Sequence, residues 1–199
     1  MMPMKESILT IGHSTLAYSA FLQLLHGAGI TAVADVRSSP YSRRSSHFNR
    51  DALEQQLRTD GIAYVFLGEE LGGRPKGKRF YCEGIADYEK MAATPSFNAA
   101  IVRLIEGTKR HRIALMCSEH NPLDCHRCLL VGRALCEREV DVRHIMMDGE
   151  QRTQLSIERE LLAIAGKDND DLFASAEERL DTAYKKRARQ IAFALPETA

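Results

Sequence analysis

Apolar positions along this chain follow two rhythms. Short runs at Ser7–Gly12, Thr31–Val36, Ile62–Leu67, Arg112–Cys117 and Val140–Met146 are apolar or β-branched and predict strands. Between them apolar side chains recur every three or four residues, as at Tyr18, Phe21, Leu22 and Leu25 or at Phe97, Ile101, Leu104 and Ile105, and predict helices. Further helical stretches run through 86–92 and 125–137. Gly27-Ala28-Gly29 stops the first helix, and Phe48-Asn49 opens the second, with Asn49 as cap and Phe48 stapled to Leu53. Strands separated by helices build βαβ units, because parallel neighbours need a crossover. The expected fold is α/β: a single Rossmann-like domain over 1–148, with a mainly parallel five-stranded sheet flanked by helices. After Asp148 the texture changes. Charge-rich helical patterns over 151–165 and 174–193, joined by Gly166–Asp171, predict a C-terminal helical extension, 149–199, packed on the core or on a partner. A homodimer through these helices is the corresponding expectation.

Composition narrows the class. The 199 residues are 44% hydrophobic and 27% charged, ordinary values for a globular protein with a sizeable core. No apolar run approaches the ~20 residues that span a bilayer, so no membrane contact is expected. Five cysteines, an odd number, behind an N-terminus unlike a signal peptide predict reduced thiols and a cytoplasmic location. The 27 basic and 27 acidic residues cancel, which argues against a uniformly basic nucleic-acid glove. The charge is nonetheless local. Arg37, Arg43, Arg44 and Arg50 share 37–50 with no acid, and Arg74, Lys76, Lys78 and Arg79 share 72–80 with none. Two basic loops in a neutral chain predict a bound anion rather than a bound polymer; solvated surface loops are the plainer alternative.

Chemistry collects just past the predicted strand ends: His13 and Ser14, Asp35 and Arg37, Gly72, Gly73 and Arg74, then Cys117 and Glu119. In open parallel sheets ligands bind beyond the carboxyl ends of the strands. The densest stretch runs from Met116 to Arg127. Asp124 stands where a helix cap belongs, which would put Cys125, His126 and Arg127 in a first turn whose free amides favour thiolates and anions. Cys125 is then a candidate nucleophile or an inert capped thiol, Cys117 a second candidate or a core residue, and Glu119 a candidate acid or base. Asp35 and Arg37 share a strand face. They either pair with each other, or Asp35 orients His13 while Arg37 holds an anion.

Several signatures fail. Cys125-His126-Arg127-Cys128 spells C-x-x-C, but 118–124 separate it from the strand, unlike thiol–disulfide oxidoreductases. Cys117, Cys125, Cys128 and His126 can be drawn as a metal set, yet adjacent Cys125 and His126 would diverge on a helix, so no metal ligand is assigned. A phosphatase-like C-x₅-R is absent, since Leu123 and Val131 stand at the required positions. Gly72–Arg79 approaches a Walker A loop but ends in Arg79 rather than Ser or Thr.

At these residues the chain resembles the DUF488 family of prokaryotic proteins. The matching pieces are Thr10-Ile11-Gly12-His13-Ser14, then Asp35-Val36-Arg37-Ser38-Ser39-Pro40 with Ser42-Arg43, and Phe48-Asn49. They continue with Leu71-Gly72-Gly73-Arg74, Ala86-Asp87-Tyr88, Leu115-Met116-Cys117-Ser118-Glu119 and Cys125-His126-Arg127. The resemblance spans about Ile8 to Ile145; Asp171-Leu172-Phe173 and Ala183-Tyr184 resemble an extension carried by one subgroup. Cys128 falls outside the family pattern, and Glu89-Lys90-Met91 departs from it. The resemblance implies the fold and the site, without a reaction.

The expected function is an enzyme acting on an anionic or phosphate-bearing small molecule, such as a nucleotide. Arg37, Arg43, Arg74 and Arg127, with Ser14, Ser42, Gly72 and Gly73, would hold the anion. His13, Asp35, Glu119 and His126 would position and carry protons, and Cys117 or Cys125 would attack. The motifs name no cofactor. A nucleic-acid-binding or regulatory module using the same arginines, and a metal- or thiol-responsive protein, are the alternatives.

Overall fold

The structure is a computed structural model that describes residues 6–168 and 174–196. In chain order it forms β1 (Ser7–Gly12), α1 (Tyr18–Gly27), β2 (Ala32–Asp35), α2 (Arg50–Thr59) and β3 (Ala63–Phe66). Then come β4 (Tyr81–Cys82), β5 (Ile85–Ala86), α3 (Tyr88–Ala92), α4 (Pro95–Gly107) and β6 (Ile113–Cys117). Last are α5 (Arg133–Cys136), β7 (Asp141–Ile145), β8 (Gln151–Thr153), α6 (Gln154–Ala165) and α7 (Ala176–Ile191).

The fold is α/β, with a mostly parallel central sheet of order β3-β2-β6-β1-β7-β8. The five expected strands are all present and mutually parallel. The sixth, β8, was missed. Asp148 and Gly149 make a tight turn, Gly149 at φ 87, and the chain folds back antiparallel onto β7 before α6 begins. Its polar residues, Gln151 to Thr153, carry no strand rhythm and serve at a sheet edge.

Period-two alternation sorts the sheet residues onto two faces. Leu9, Ile11, Val33, Ala114 and Met116 cluster with Phe21 and Leu25 of α1 and Leu53 and Leu57 of α2. Ile8, Ala32, Ala34, Leu115 and Cys117 cluster on the other face with Phe97 and Ile101 of α4, Leu135 of α5 and Ile157 of α6. Each fully buried Leu, Ile or Phe contributes roughly 1.5–3 kcal/mol by leaving water. The order has a functional consequence. The chain runs outward from β1 to β2 and β3, returns to insert β6 between β2 and β1, and leaves on the far side through β7. The carboxyl ends of β1, β2 and β6 therefore meet where the winding reverses, the usual ligand position of an open sheet.

Helices α6 and α7 cover the second face, burying Ile157, Leu161, Ala183 and Tyr184. A directed chain of polar groups ties them to the sheet. Arg127 Nε donates to Thr10 Oγ1 at 3.4 Å, and Thr10 Oγ1 lies 2.8 Å from His144 Nδ1. His144 Nε2 lies 2.7 Å from Gln154 Oε1, Gln154 Nε2 donates to the Tyr184 hydroxyl at 2.6 Å, and that hydroxyl donates to Glu158 at 2.7 Å. One tautomer, with the His144 proton on Nε2, satisfies every link. After α7 the chain runs beside β4 and β5: Ala86 N donates to Phe193 O, and Leu195 N to Gly84 O. Asp171-Leu172-Phe173, read above as part of an extension, lies outside the described residues. Among the described residues no helix is long and apolar enough to cross a membrane.

Candidate functional site

A cavity of about 410 Å³ opens at the carboxyl ends of β2 and β6. Its lining includes Arg37, Gly73, Arg74, Cys117, Glu119, Cys125 and His126 from the sequence-derived set. Ser38, Ser39, Tyr41, Tyr88, Ser118, Asp124, Ile191 and Phe193 complete it. The other sequence-derived residues, His13, Ser14, Asp35, Ser42, Arg43, Gly72 and Arg127, are not part of the lining.

The cysteine and histidine corner is built by a strand end and an abrupt change of backbone. Cys117 is the last residue of β6. The segment after it makes a 3-10 turn at Pro122–Asp124, and Cys125 follows in extended conformation, φ −140 and ψ 139. His126 then enters the helical region, φ −60, and 127–132 continue as a π-helix into α5. The expected arrangement, Asp124 capping a helix whose first turn holds Cys125, does not form. Asp124 instead pairs with Arg187 of α7. Because Cys125 is extended and His126 helical, the two neighbouring side chains converge rather than diverge. The sulfurs of Cys117 and Cys125 each lie 3.8 Å from Nδ1 of His126, and the three ligand atoms lie within 4.8 Å of one another. Cys128 faces elsewhere, toward Gln154, and burial pushes its thiol up to about 12.

Local charges separate the two thiols. A hydrogen bond to Cys125, then burial, raises Cys117 well above the ordinary thiol range. Burial also opposes ionisation of Cys125, but the hydrogen bond from Cys117 and the charges of Arg127 and His126 outweigh it and hold Cys125 well below that range. For His126, burial is outweighed by the Cys125 thiolate and the Val36 carbonyl, and its pKa is raised. His126 Nε2 lies 2.8 Å from Val36 O. A carbonyl only accepts, so that nitrogen carries the proton.

Two glycines make the corner possible. A Cβ on Gly12 would stand 1.8 Å from the Glu119 carbonyl, and one on Gly73 would stand 2.9 Å from Cγ and 3.0 Å from Nδ1 of His126. Glycine at 73 leaves the space that the imidazole ring occupies.

Arg37 and Arg127, expected to grip an anion, have structural jobs. Arg37 donates Nε and Nη2 to the two oxygens of Asp35 at 2.9 and 2.6 Å, and Nη2 also to Phe48 O at 2.8 Å. Asp35 further accepts from Arg37 N at 3.0 Å and the Tyr64 hydroxyl at 2.8 Å. Of the two roles left open for Asp35, pairing with Arg37 is the one formed. His13 donates Nδ1–H to Ser14 O at 2.9 Å and stacks on Phe48 at 4.1 Å, leaving Nε2 to accept from Arg37 Nη1 at 3.1 Å. Burial and the Arg37 charge lower its pKa to about 4, so it is a neutral strut beside the site. Arg127, fully buried, sends Nη1 to Glu119 O at 2.6 Å and Nη2 to His120 O at 3.0 Å. Its charge stays beneath the cysteines, with all these N–H groups on neutral oxygens.

Ser42 shapes a turn, its hydroxyl accepting from Arg44 N and Ser45 N, and Arg43 is exposed outside the cavity. Asn49 occupies the cap position of α2, but its side chain accepts from Ser42 N instead of capping. Arg74 is the exposed cation of the lining, its guanidinium 4.9 Å from the Phe193 ring centre. Ile191 and Phe193 had no signal in the sequence as site residues, since they merely end an amphipathic helix. Tyr88 was visible only as part of a matching motif.

Fold and cavity together define a doubly wound α/β protein with a thiol- and imidazole-lined pocket at its winding reversal. A family model described as "Domain of unknown function DUF488" matches residues 17–134, and the chain belongs to that family. No curated protein and no solved structure matches it.

Proposed function

We propose that this protein is an enzyme acting on an anionic or phosphate-bearing small molecule, a nucleotide among the candidates, bound in the cavity at the carboxyl edge of the sheet. One observation carries the reading: two cysteines and a histidine converge on a wall that also presents a carboxylate, Glu119, and an exposed arginine, Arg74. Buried thiols on an apolar wall are packing; buried thiols beside an imidazole, an acid and a cation are the parts of a reaction. The reacting group is the Cys117–Cys125–His126 corner. Arg74 pairs with the anion, and buried Arg127 adds positive potential from below. Glu119 carries protons. The volume suits a compact ligand.

The test is turnover of nucleoside phosphates, sugar phosphates and simple phosphate esters by the full-length protein, followed by mass spectrometry. Cys125→Ser and Glu119→Gln should each lower kcat by roughly 100-fold or more, as losses of reacting groups do. Arg74→Ala should raise KM about tenfold and spare kcat, as removal of a ground-state charge contact does. Wild-type turnover by Cys125→Ser would remove the assignment. So would oligonucleotide binding that weakens steeply with salt in the absence of any turnover, which identifies a nucleic-acid-binding module instead.

A further inference from the structure

We propose that Cys117, Cys125 and His126 form a three-ligand site for a divalent metal ion, zinc by its donor set, with the fourth position open to the cavity. The inference deepens the reading above by naming the group at its reactive corner. Its first support is spacing. Zinc bonds of about 2.3 Å to sulfur and about 2.0–2.1 Å to nitrogen, at tetrahedral angles, set sulfur and nitrogen ligands about 3.6 Å apart. Both sulfurs stand 3.8 Å from Nδ1 of His126. A nucleophile–base pair needs one short contact from one thiol; two sulfurs equally far from one ring nitrogen describe the corners of a coordination polyhedron.

The second support is the ring itself. With Nε2 donating its proton to Val36 O at 2.8 Å, the ring turns Nδ1 toward both sulfurs, and a metal ion there would take the place of the Nδ1 proton. Ligating histidines are oriented in this way, through a hydrogen bond from the far nitrogen to a carbonyl or carboxylate. The ring packs so close to Gly73 that a Cβ there would stand 3.0 Å from Nδ1. The third is charge. Arg127 lies buried beneath the corner with its N–H groups on neutral oxygens, so its positive potential offsets part of the cost of charging the sulfurs. Two thiolates and an imidazole are the preferred donors of zinc, and three protein ligands with an open place are the arrangement of catalytic rather than structural zinc. All three residues line the cavity, where Glu119 and Arg74 also lie.

The experiment measures metal in the full-length protein, purified under reducing conditions and reconstituted anaerobically with zinc or cobalt. Wild type should hold about one ion per chain. Its cobalt form should display thiolate-to-metal charge transfer and the intense visible bands of tetrahedral cobalt. Cys117→Ser and Cys125→Ser should lose both signals, and Cys128→Ser should keep them. A second measurement needs no variant: zinc should slow alkylation of Cys117 and Cys125 by roughly tenfold or more while exposed Cys82 reacts as before. Absence of stoichiometric metal in folded wild type, or equal loss in Cys128→Ser, overturns the proposal. Neither readout involves substrate. Metal bound without turnover keeps this inference and removes the enzymatic reading; turnover by folded protein that takes up no metal does the reverse.

Discussion

Replacing Asp35 with alanine tests the electrostatic frame on which the cavity stands. The carboxylate is fully buried and accepts four hydrogen bonds: from Arg37 N, Nε and Nη2 and from the Tyr64 hydroxyl. Its removal leaves the Arg37 guanidinium, 5% exposed, with only a carbonyl and the His13 ring among its contacts. Breaking a buried, hydrogen-bonded pair from one side costs about 3–5 kcal/mol, because the remaining charge stays out of water. At roughly 2–4 °C per kcal/mol for a chain of this size, the melting point should fall by about 6–20 °C. Urea denaturation of Asp35→Ala, Arg37→Met and the double variant closes the cycle. The double variant should lose less than the sum of the singles by at least ~2 kcal/mol, since it strands neither charge. Tyr64→Phe, which removes one neutral donor, should cost only about 1 kcal/mol. A loss below ~1 kcal/mol in Asp35→Ala, or strict additivity in the cycle, would refute the claim that this pair is desolvated and mutually dependent.

Burial lowers the pKa of His144 to about 4, against 6.5 in the unfolded chain, so its contribution to stability is intact above pH 6.5 and falls as the pH drops through that window, by roughly 3 kcal/mol over the whole of it. His144→Gln should flatten the acid limb, measured by urea titration at about pH 7.5 and about pH 4.5. Gly73→Ala, whose methyl would press on the His126 ring, should cost roughly 1–3 kcal/mol in a thermal melt and distort the cobalt spectrum of the reconstituted protein. Phe193→Ala removes a cavity wall and a cation–π contact worth about 0.5–1 kcal/mol, and should raise KM severalfold with kcat held, read by steady-state kinetics.

Periodicity located every parallel strand, because the buried β1, β2 and β6 are short apolar runs and the half-buried edge strand β3 keeps an apolar run as well. It missed β8, whose polar residues are held by a turn and an edge rather than by burial. The place of the cavity was legible, since strand ends mark the rim of an open sheet, but of the fourteen residues named from the sequence seven line it and seven do not. The roles were less so. Nothing in the spacing of Asp35 and Arg37 distinguishes an anion grip from a closed pair; the choice depends on Tyr64 and Phe48, which arrive from other elements. The convergence of Cys125 and His126 was likewise hidden. Helical geometry assigns them different directions, and only the extended backbone at Cys125 brings them onto one point.

Two walls of the pocket, Ile191 and Phe193, lie beyond the 17–134 stretch that the family shares. Under the proposed function, the groups assigned to chemistry come from the stretch the family model covers, and part of the wall that would face the ligand comes from the C-terminal passage of the chain. Substituting Ile191 and Phe193 should therefore change which ligand enters while the thiol and imidazole corner stays as it is, in the way a changed lock plate alters which key enters the same mechanism.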